Sequence, residues 1–311
     1  MFDSIRLTSD LDHYLKQKQY PLVNSVLLMQ HGSILLERYY NGFTPLRGNP
    51  IKSVWKSILS ICTGICVDKG IIKSVEEPIG NYLPAFGARR HPYHSRITIE
   101  NLLTMTSGIY WNGGIHYHCP MVEQMRMEKD WISYLADVRM AYRPGSRYQY
   151  KEWDVILLSA VIGYATNGTS YDFCRKYLYE PLGIKSGKWA LGCEHTSYNI
   201  SLNAPEREQD SNLCARDMAK IGQLFLNKGI YRGKRIVSSD YVEQAVSPGR
   251  CNRGYGYMWW IFDGFYGARG YGGQEITVCT EKDIVYVIQA TPTSRPKSYP
   301  DVYGFLTERI P

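Results

Sequence analysis

Ser53-Val54-Trp55-Lys56 opens the stretch whose reading decides the centre of the fold. From Val54 to Val67, Ile58, Ile61, Cys62, Ile65 and Cys66 recur at helical spacing. The run closes on Lys69-Gly70, a cation and then a C-cap glycine. Positions three apart share a helix face, so Ser53 and Lys56 meet in the first turn. Unpaired backbone N–H groups there favour developing negative charge. A serine hydroxyl is a weak nucleophile until a base takes its proton. A lysine serves only if burial or nearby cations lower its pKa from about 10.4. The alternative is a helix-capping serine followed by a solvated lysine. A second Ser-x-x-Lys, Ser294-Arg295-Pro296-Lys297, lies among prolines that place it in a loop, where this spacing does not join side chains.

At 311 residues the chain is long enough for one large domain or two closely packed ones. Hydrophobic content of 44% and charged content of 21% are those of an ordinary globular protein. The net charge of +7 comes from Lys and Arg scattered among acids. No basic tract is interleaved with aromatics, so no nucleic-acid partner is expected. No apolar run reaches eighteen residues, so no membrane span is expected, and Met1-Phe2-Asp3-Ser4-Ile5-Arg6 has no signal-peptide pattern. The eight cysteines show no paired framework, and reduced thiols in the cytoplasm are the expectation.

Ser25 to Gln30 and Ser33 to Tyr40 are apolar runs separated by His31-Gly32, a two-residue hairpin signal. From Ile71 to about Ala204 the pattern is mainly helices and long loops. Thr98 caps Ile99 to Met105, Asp154 to Ala165 is strongly apolar, and Ser170 caps a helix that stops at Glu180-Pro181. Residues 213 to 228 read as an amphipathic helix closed by Gly229, and a short helix begins after Ser239. The tail turns to strands at Tyr255 to Phe262, Phe265 to Ala268, Glu275 to Cys279 and Ile284 to Ala290. Strands at both ends predict one antiparallel sheet built from the two termini, with a helical insertion between them.

Pro144-Gly145 leads through a turn to Tyr150, just ahead of the Asp154 helix. A phenol shuttles a proton when a cation such as Lys56 stabilises its phenolate; the plain alternative is packing at a helix start. Residues 267–274, Gly-Ala-Arg-Gly-Tyr-Gly-Gly-Gln, form the densest glycine cluster. Glycines between strands permit close approach to a backbone edge, whose N–H, with that of Ser53, would make an oxyanion hole; a hairpin loop is the alternative. His116, His118 and Cys119 cluster without a second ligand pair at suitable spacing, so no metal site is expected. His91 and His94, beside Arg89 and Arg90, read as a solvated turn.

In this order the pieces resemble the serine β-lactamase/penicillin-binding-protein superfamily, and within it the class C-like serine hydrolases. Ser53-Val54-Trp55-Lys56-Ser57 is similar to its Ser-x-x-Lys segment. Lys69-Gly70 leads on to Asn81-Tyr82-Leu83-Pro84, and residues 102–108 read LLTMTSG, as in the family. Pro144-Gly145 with Tyr150 resembles its tyrosine motif, and Pro181-Leu182-Gly183-Ile184 its PLGI. Residues 215–218 and 268–274 resemble a subgroup containing esterases and nylon-oligomer (aminohexanoate-dimer) hydrolases. The resemblance runs from about residue 25 to residue 290.

It implies an α/β (α+β) fold of β-lactamase/DD-peptidase type. An antiparallel five-stranded sheet flanked by helices would occupy residues 1–72 and 205–311, an inserted all-helical domain residues 73–204, and the active site their interface. Carried over, Ser53 becomes the acyl-accepting nucleophile, Lys56 and Tyr150 jointly handle protons, and the N–H groups of Ser53 and Tyr271 form the oxyanion hole. Tyr110, Trp111, His116 and Tyr117, in the loop just after the LLTMTSG match, would wall the substrate cleft, with Glu152, Arg269, Gly270 and Gly272 along it. The implied reaction forms and then hydrolyses an acyl-enzyme on a small ester, amide or D-amino-acid peptide, with no metal or cofactor. The partner would be that small molecule or short peptide; oligomeric state stays open.

Two positions depart from the family pattern. Tyr150-Lys151-Glu152 stands where Tyr-x-Asn is common, and a Glu152 carboxylate near Lys56 would hold the lysine protonated; otherwise it faces solvent. Ala268-Arg269-Gly270 replaces Lys-Thr-Gly or His-x-Gly, and Arg269 either meets a substrate carboxylate or is a salt-bridged strand residue. Both weigh against β-lactam hydrolysis; a β-lactamase or DD-peptidase and a degenerate binding or regulatory protein are the alternatives.

Overall fold

The computed structural model describes residues 4–87, 91–114, 119–199, 211–294 and 297–310. His31 and Gly32 both take positive φ, 50° and 73°, and so make the tight turn between β1 (Val23–Gln30) and β2 (Ser33–Tyr39). The C-terminal part supplies β3 (Trp260–Ile261), β4 (Tyr266–Gly270), β5 (Gln274–Cys279) and β6 (Ile284–Ala290). Among the described residues the main sheet runs β2-β1-β6-β5-β4-β3, antiparallel at each junction. The two chain ends thus meet at β1 and β6, as their apolar runs predict.

The sheet has six strands, one more than the five expected, because the two-residue β3 adds an edge. The predicted Tyr255-to-Phe262 strand is cut short there. Met258 takes φ 60°, the Gly256 N–H turns back to the Trp259 carbonyl at 2.9 Å, and Trp259 is fully buried.

Helices α1 (Ser4–Gln17), α2 (Val54–Asp68), α3 (Ile99–Leu103), α4 (Glu152–Thr166), α5 (Ala215–Leu226), α6 (Ser239–Ala245) and α7 (Pro300–Thr307) complete the frame. Side chains alternate across each strand. Leu27, Ile276, Val278, Val285 and Val287 pack with α2 and α5 on one face. Val26, Leu28, Ile284, Tyr286 and Ile288 pack with Leu7, Leu11 and Leu15 of α1 and Val302 and Leu306 of α7 on the other. A sheet covered on both faces explains why β1 and β6 read as nearly unbroken apolar runs.

The regular structure between α2 and α5 is mainly helical, with Thr98 closing a capping box on α3. It is not wholly helical: Ala190–Cys193 pairs with Thr196–Tyr198 as a hairpin laid on α4. Gly163 permits that contact, since a Cβ there would lie 1.8 Å from the His195 carbonyl oxygen. Residues Glu152 to Gly163 of α4 are all buried, as an all-round apolar helix requires. Thr169, one residue earlier than expected, caps Ser170–Cys174.

Candidate active site

Ser53 is delivered by a rigid lead-in. Asn49–Pro50 pairs with Asn212–Leu213, and the Ile51 N–H donates to the Ser211 carbonyl. The buried Asn49 amide donates to Gln274 Oε1 at 2.7 Å and to the Ala290 carbonyl at 3.0 Å, and accepts from Asn24 at 2.7 Å. Strands β1, β5 and β6 are thereby tied to the residues just before the nucleophile candidate. Lys52 then takes φ 49°, and Ser53 stands at the N-cap of α2. Its side chain makes no capping hydrogen bond, so the capping reading of this serine does not hold. Lys69 and Gly70 end the helix as the sequence predicts.

The solvated-lysine reading fails as well. Lys56 is 1% exposed, and its Nζ donates to Ser53 Oγ at 3.0 Å and to Glu152 Oε1 at 2.8 Å. Glu152 is 4% exposed. The Lys56 Nζ also lies 5.3 Å from the centre of the Tyr150 ring. Burial pulls the Lys56 pKa down, but the Glu152 carboxylate, and after it Tyr150, outweigh burial and hold it above its ordinary value. Burial likewise pushes the Tyr150 phenol up, against the Lys56 cation, with Ser53 and Lys56 as its hydrogen-bonding neighbours. The surroundings therefore favour the charged form of Lys56 and the neutral form of Tyr150 beside one serine hydroxyl.

The backbone at Lys151 explains the convergence. It is extended, φ −156° and ψ 157°, so Tyr150 and Glu152 leave on one side and Lys151 on the other. Lys151 is buried with its Nζ 3.5 Å from Asp154 Oδ2, and Asp154 accepts from the Ser107 hydroxyl at 2.5 Å and the Ser107 N–H at 3.3 Å. Sequence reasoning missed this anchor; the Lys-x-x-Asp spacing at the start of α4 was its signal. It also missed Trp260, stacked on Tyr150 at 5.8 Å, and Tyr255, edge-on to it at 6.1 Å.

Gly270 brings β4 against the start of α2. A Cβ at this position would lie 2.3 Å from the Ile51 carbonyl oxygen and 3.2 Å from the Ser53 nitrogen. Tyr271 follows directly, its hydroxyl donating to the Thr293 carbonyl at 2.8 Å. β3 pairs with β4 only at Tyr266 and Gly267, which leaves the edge from Ala268 to Gly270 without a β3 partner. Gly272 has φ 80° and packs on Pro292, so close approach there serves the fold.

Arg269 is not placed for a substrate carboxylate. Alternation puts it on the face opposite Gly270, where its Nε lies 3.4 Å from Glu275 Oε2 and its guanidinium sits 4.1 Å over the Phe262 ring. Trp111 stands edge-on to Trp153, the neighbour of Glu152, at 4.8 Å. The Tyr110 ring lies under the Arg139 guanidinium at 3.9 Å, and its carbonyl accepts from Trp153. His94, expected in a solvated turn, is 2% exposed and packs against Phe86. His116, Tyr117 and His118 lie outside the described residues, as do Arg89, Arg90, Arg295 and Pro296. Cys119 donates to the Asn112 carbonyl, and no group of three potential metal ligands occurs among the described residues.

Comparison with known proteins adds a lineage. A sequence profile described as Beta-lactamase matches residues 9–305. A 6-aminohexanoate-dimer hydrolase of Paenarthrobacter ureafaciens is 22% identical over 249 residues, which are 76% of this chain and 60% of that protein's length. The octameric penicillin-binding protein homologue of Pyrococcus abyssi aligns with a TM-score of 0.72 at 19% identity, covering 99% of this chain and 77% of that one. A family VIII carboxylesterase aligns with a TM-score of 0.73 at 15% identity, covering 98% and 96%. At these identities the structural likeness speaks to the fold.

Proposed function

The chain belongs to the beta-lactamase family, and on that premise we propose that it is a serine hydrolase acting through an acyl-enzyme on a small ester, amide or D-amino-acid peptide. The observation that carries this reading is the 3.0 Å contact between Lys56 Nζ and a Ser53 hydroxyl that caps nothing. Ser53 attacks the carbonyl carbon while its proton leaves by way of Lys56, Lys56 and Tyr150 handling the protons of the reaction jointly. The N–H groups of Ser53 and Tyr271 receive the oxyanion. Tyr150 returns a proton to the leaving group, and water then releases the acyl group. The cleft runs between residues 1–72 with 205–311 and residues 73–204, with Trp111 and Trp260 on its helical and sheet sides.

A cytoplasmic location belongs to the same proposal. All eight cysteines carry free thiols, as a reducing compartment favours. Among the described residues no helix is long and apolar enough to cross a membrane.

A substrate panel of short p-nitrophenyl esters, aminohexanoate amides, D-amino-acid peptides and nitrocefin tests the function. Turnover in at least one class, reduced roughly 10³-fold or more in Ser53→Ala, is the expected result. Tight ligand binding without turnover in any class would make the chain a binding protein on this scaffold.

A further inference from the structure

Resting on the hydrolase reading, we infer that Glu152 is the terminal acceptor of the Ser53 proton and that it acts only through Lys56. The geometry contains a problem that Lys56 and Tyr150 do not solve between them. Lys56 already donates to Ser53 Oγ and to Glu152 Oε1, at 3.0 Å and 2.8 Å. An ammonium in that posture has no lone pair for the serine proton. Tyr150 rests as a phenol and is no better as an acceptor. The carboxylate of Glu152 is the basic group, one Lys56 nitrogen away from Ser53.

A double transfer uses this arrangement without building a lone buried charge. Lys56 passes one N–H proton to Glu152 Oε1, turns about its Cε–Nζ bond so that the freed lone pair faces Ser53, and then takes the Oγ proton. The Ser53 Oγ–carbon bond forms, and the carbonyl π pair moves onto oxygen. Lys56 remains an ammonium, Glu152 becomes a neutral acid, and the negative charge passes to the oxyanion. On collapse the bond to the leaving group breaks. Tyr150 gives its proton to the departing atom and is refilled by Lys56, which recovers its own from Glu152. Each proton is returned and no outside acid or base is consumed.

The departure from Tyr-x-Asn acquires a chemical meaning in this way. An asparagine amide at this place can hold a lysine but cannot accept its proton. Among the described residues, the titratable groups coupled electrostatically to Glu152 include Lys56 from α2, Tyr150 two residues earlier, Cys119 ahead of the Pro120–Met127 helix, Tyr198 from the hairpin and Tyr255 ahead of β3. Glu123 and Arg126 act on Tyr198 in turn, through their charges. Asp154 is turned to Lys151 on the far side of the chain.

The test is the acylation rate of wild type, Glu152→Gln and Glu152→Asp with a short p-nitrophenyl ester across the stable pH range. Glu152→Gln is expected to slow acylation roughly 10²-fold near neutrality. Its acid limb should also move to higher pH, because Lys56 must then surrender a proton of its own before it can act. Glu152→Asp should keep the wild-type limb at a reduced rate. A Glu152→Gln profile that overlays the wild type overturns the relay while leaving the hydrolase intact, and so does a Glu152→Asp acid limb that moves as far as that of Glu152→Gln. A wild type that never acylates overturns both, and that outcome is distinct.

Discussion

Gly270→Ala probes the junction on which the proposed oxyanion hole depends. The added Cβ would sit 2.3 Å from the Ile51 carbonyl oxygen, 3.0 Å from the Gln274 Cβ and 3.2 Å from the Ser53 nitrogen. Two of these neighbours are backbone atoms, which cannot swing aside as a side-chain end does. The φ of Gly270 lies outside the left-handed region, so the effect is steric and not conformational. Relief requires β4 and the start of α2 to part by roughly 1 Å, a misplacement that costs on the order of 10²-fold in rate when reacting groups rely on it. The overpacking itself should cost about 1–3 kcal/mol. Thermal unfolding and the rate of Ser53 acylation are the two readouts, with Gly304→Ala as control, since nothing lies within 4 Å of a Cβ there. Expected is a large fall in rate with a modest fall in stability. A Gly270→Ala protein that acylates and melts like wild type would refute the placement of the Gly270–Tyr271 backbone beside Ser53.

Lys151→Met leaves the buried Asp154 carboxylate without its cation and should destabilise by about 3–5 kcal/mol in urea unfolding, whereas Lys151→Met with Asp154→Leu should recover most of the loss; an undisturbed single variant would contradict the anchor. Arg216 grips the Glu37 carboxylate through Nε and Nη2, which donate to its two oxygens at 2.6 Å and 2.7 Å. Burial would raise the Glu37 pKa, but the Arg216 and Tyr39 hydrogen bonds outweigh it and hold it below its ordinary value of 4.5. A carboxyl lowered on folding stabilises above its unfolded value, and that contribution fades as pH falls through the folded one. With Arg216 half-exposed, Arg216→Ala should cost about 1 kcal/mol or less near neutral pH and progressively less in acid; a cost that grows in acid would show the sign to be wrong.

Much of the site is legible in the sequence because its geometry is local. Ser53 and Lys56 lie three apart on a helix whose apolar period is plain, and Tyr150 and Glu152 lie two apart on extended backbone. The sheet is legible because β1 and β6 are buried on both faces and stay apolar throughout. What escaped depends on parity and on long-range contact. Whether Arg269 or Gly270 faces α2 is fixed by strand register, which a glycine-rich run does not announce. His94 looks solvated beside two arginines, yet Phe86 covers it. The Lys151–Asp154–Ser107 anchor joins segments 47 residues apart, and the Lys-x-x-Asp spacing in one of them does not say that Ser107 closes it. Trp260 and Tyr255 read as strand residues until the positive φ at Met258 breaks the strand and folds them onto Tyr150.

Intact mass with a fluorophosphonate probe, followed by peptide mapping, tests the nucleophile most directly. The account predicts one covalent adduct, located on Ser53, absent from Ser53→Ala and slowed strongly in Lys56→Met. An adduct that maps to another residue, or a protein left unmodified at every pH where it stays folded, would contradict it.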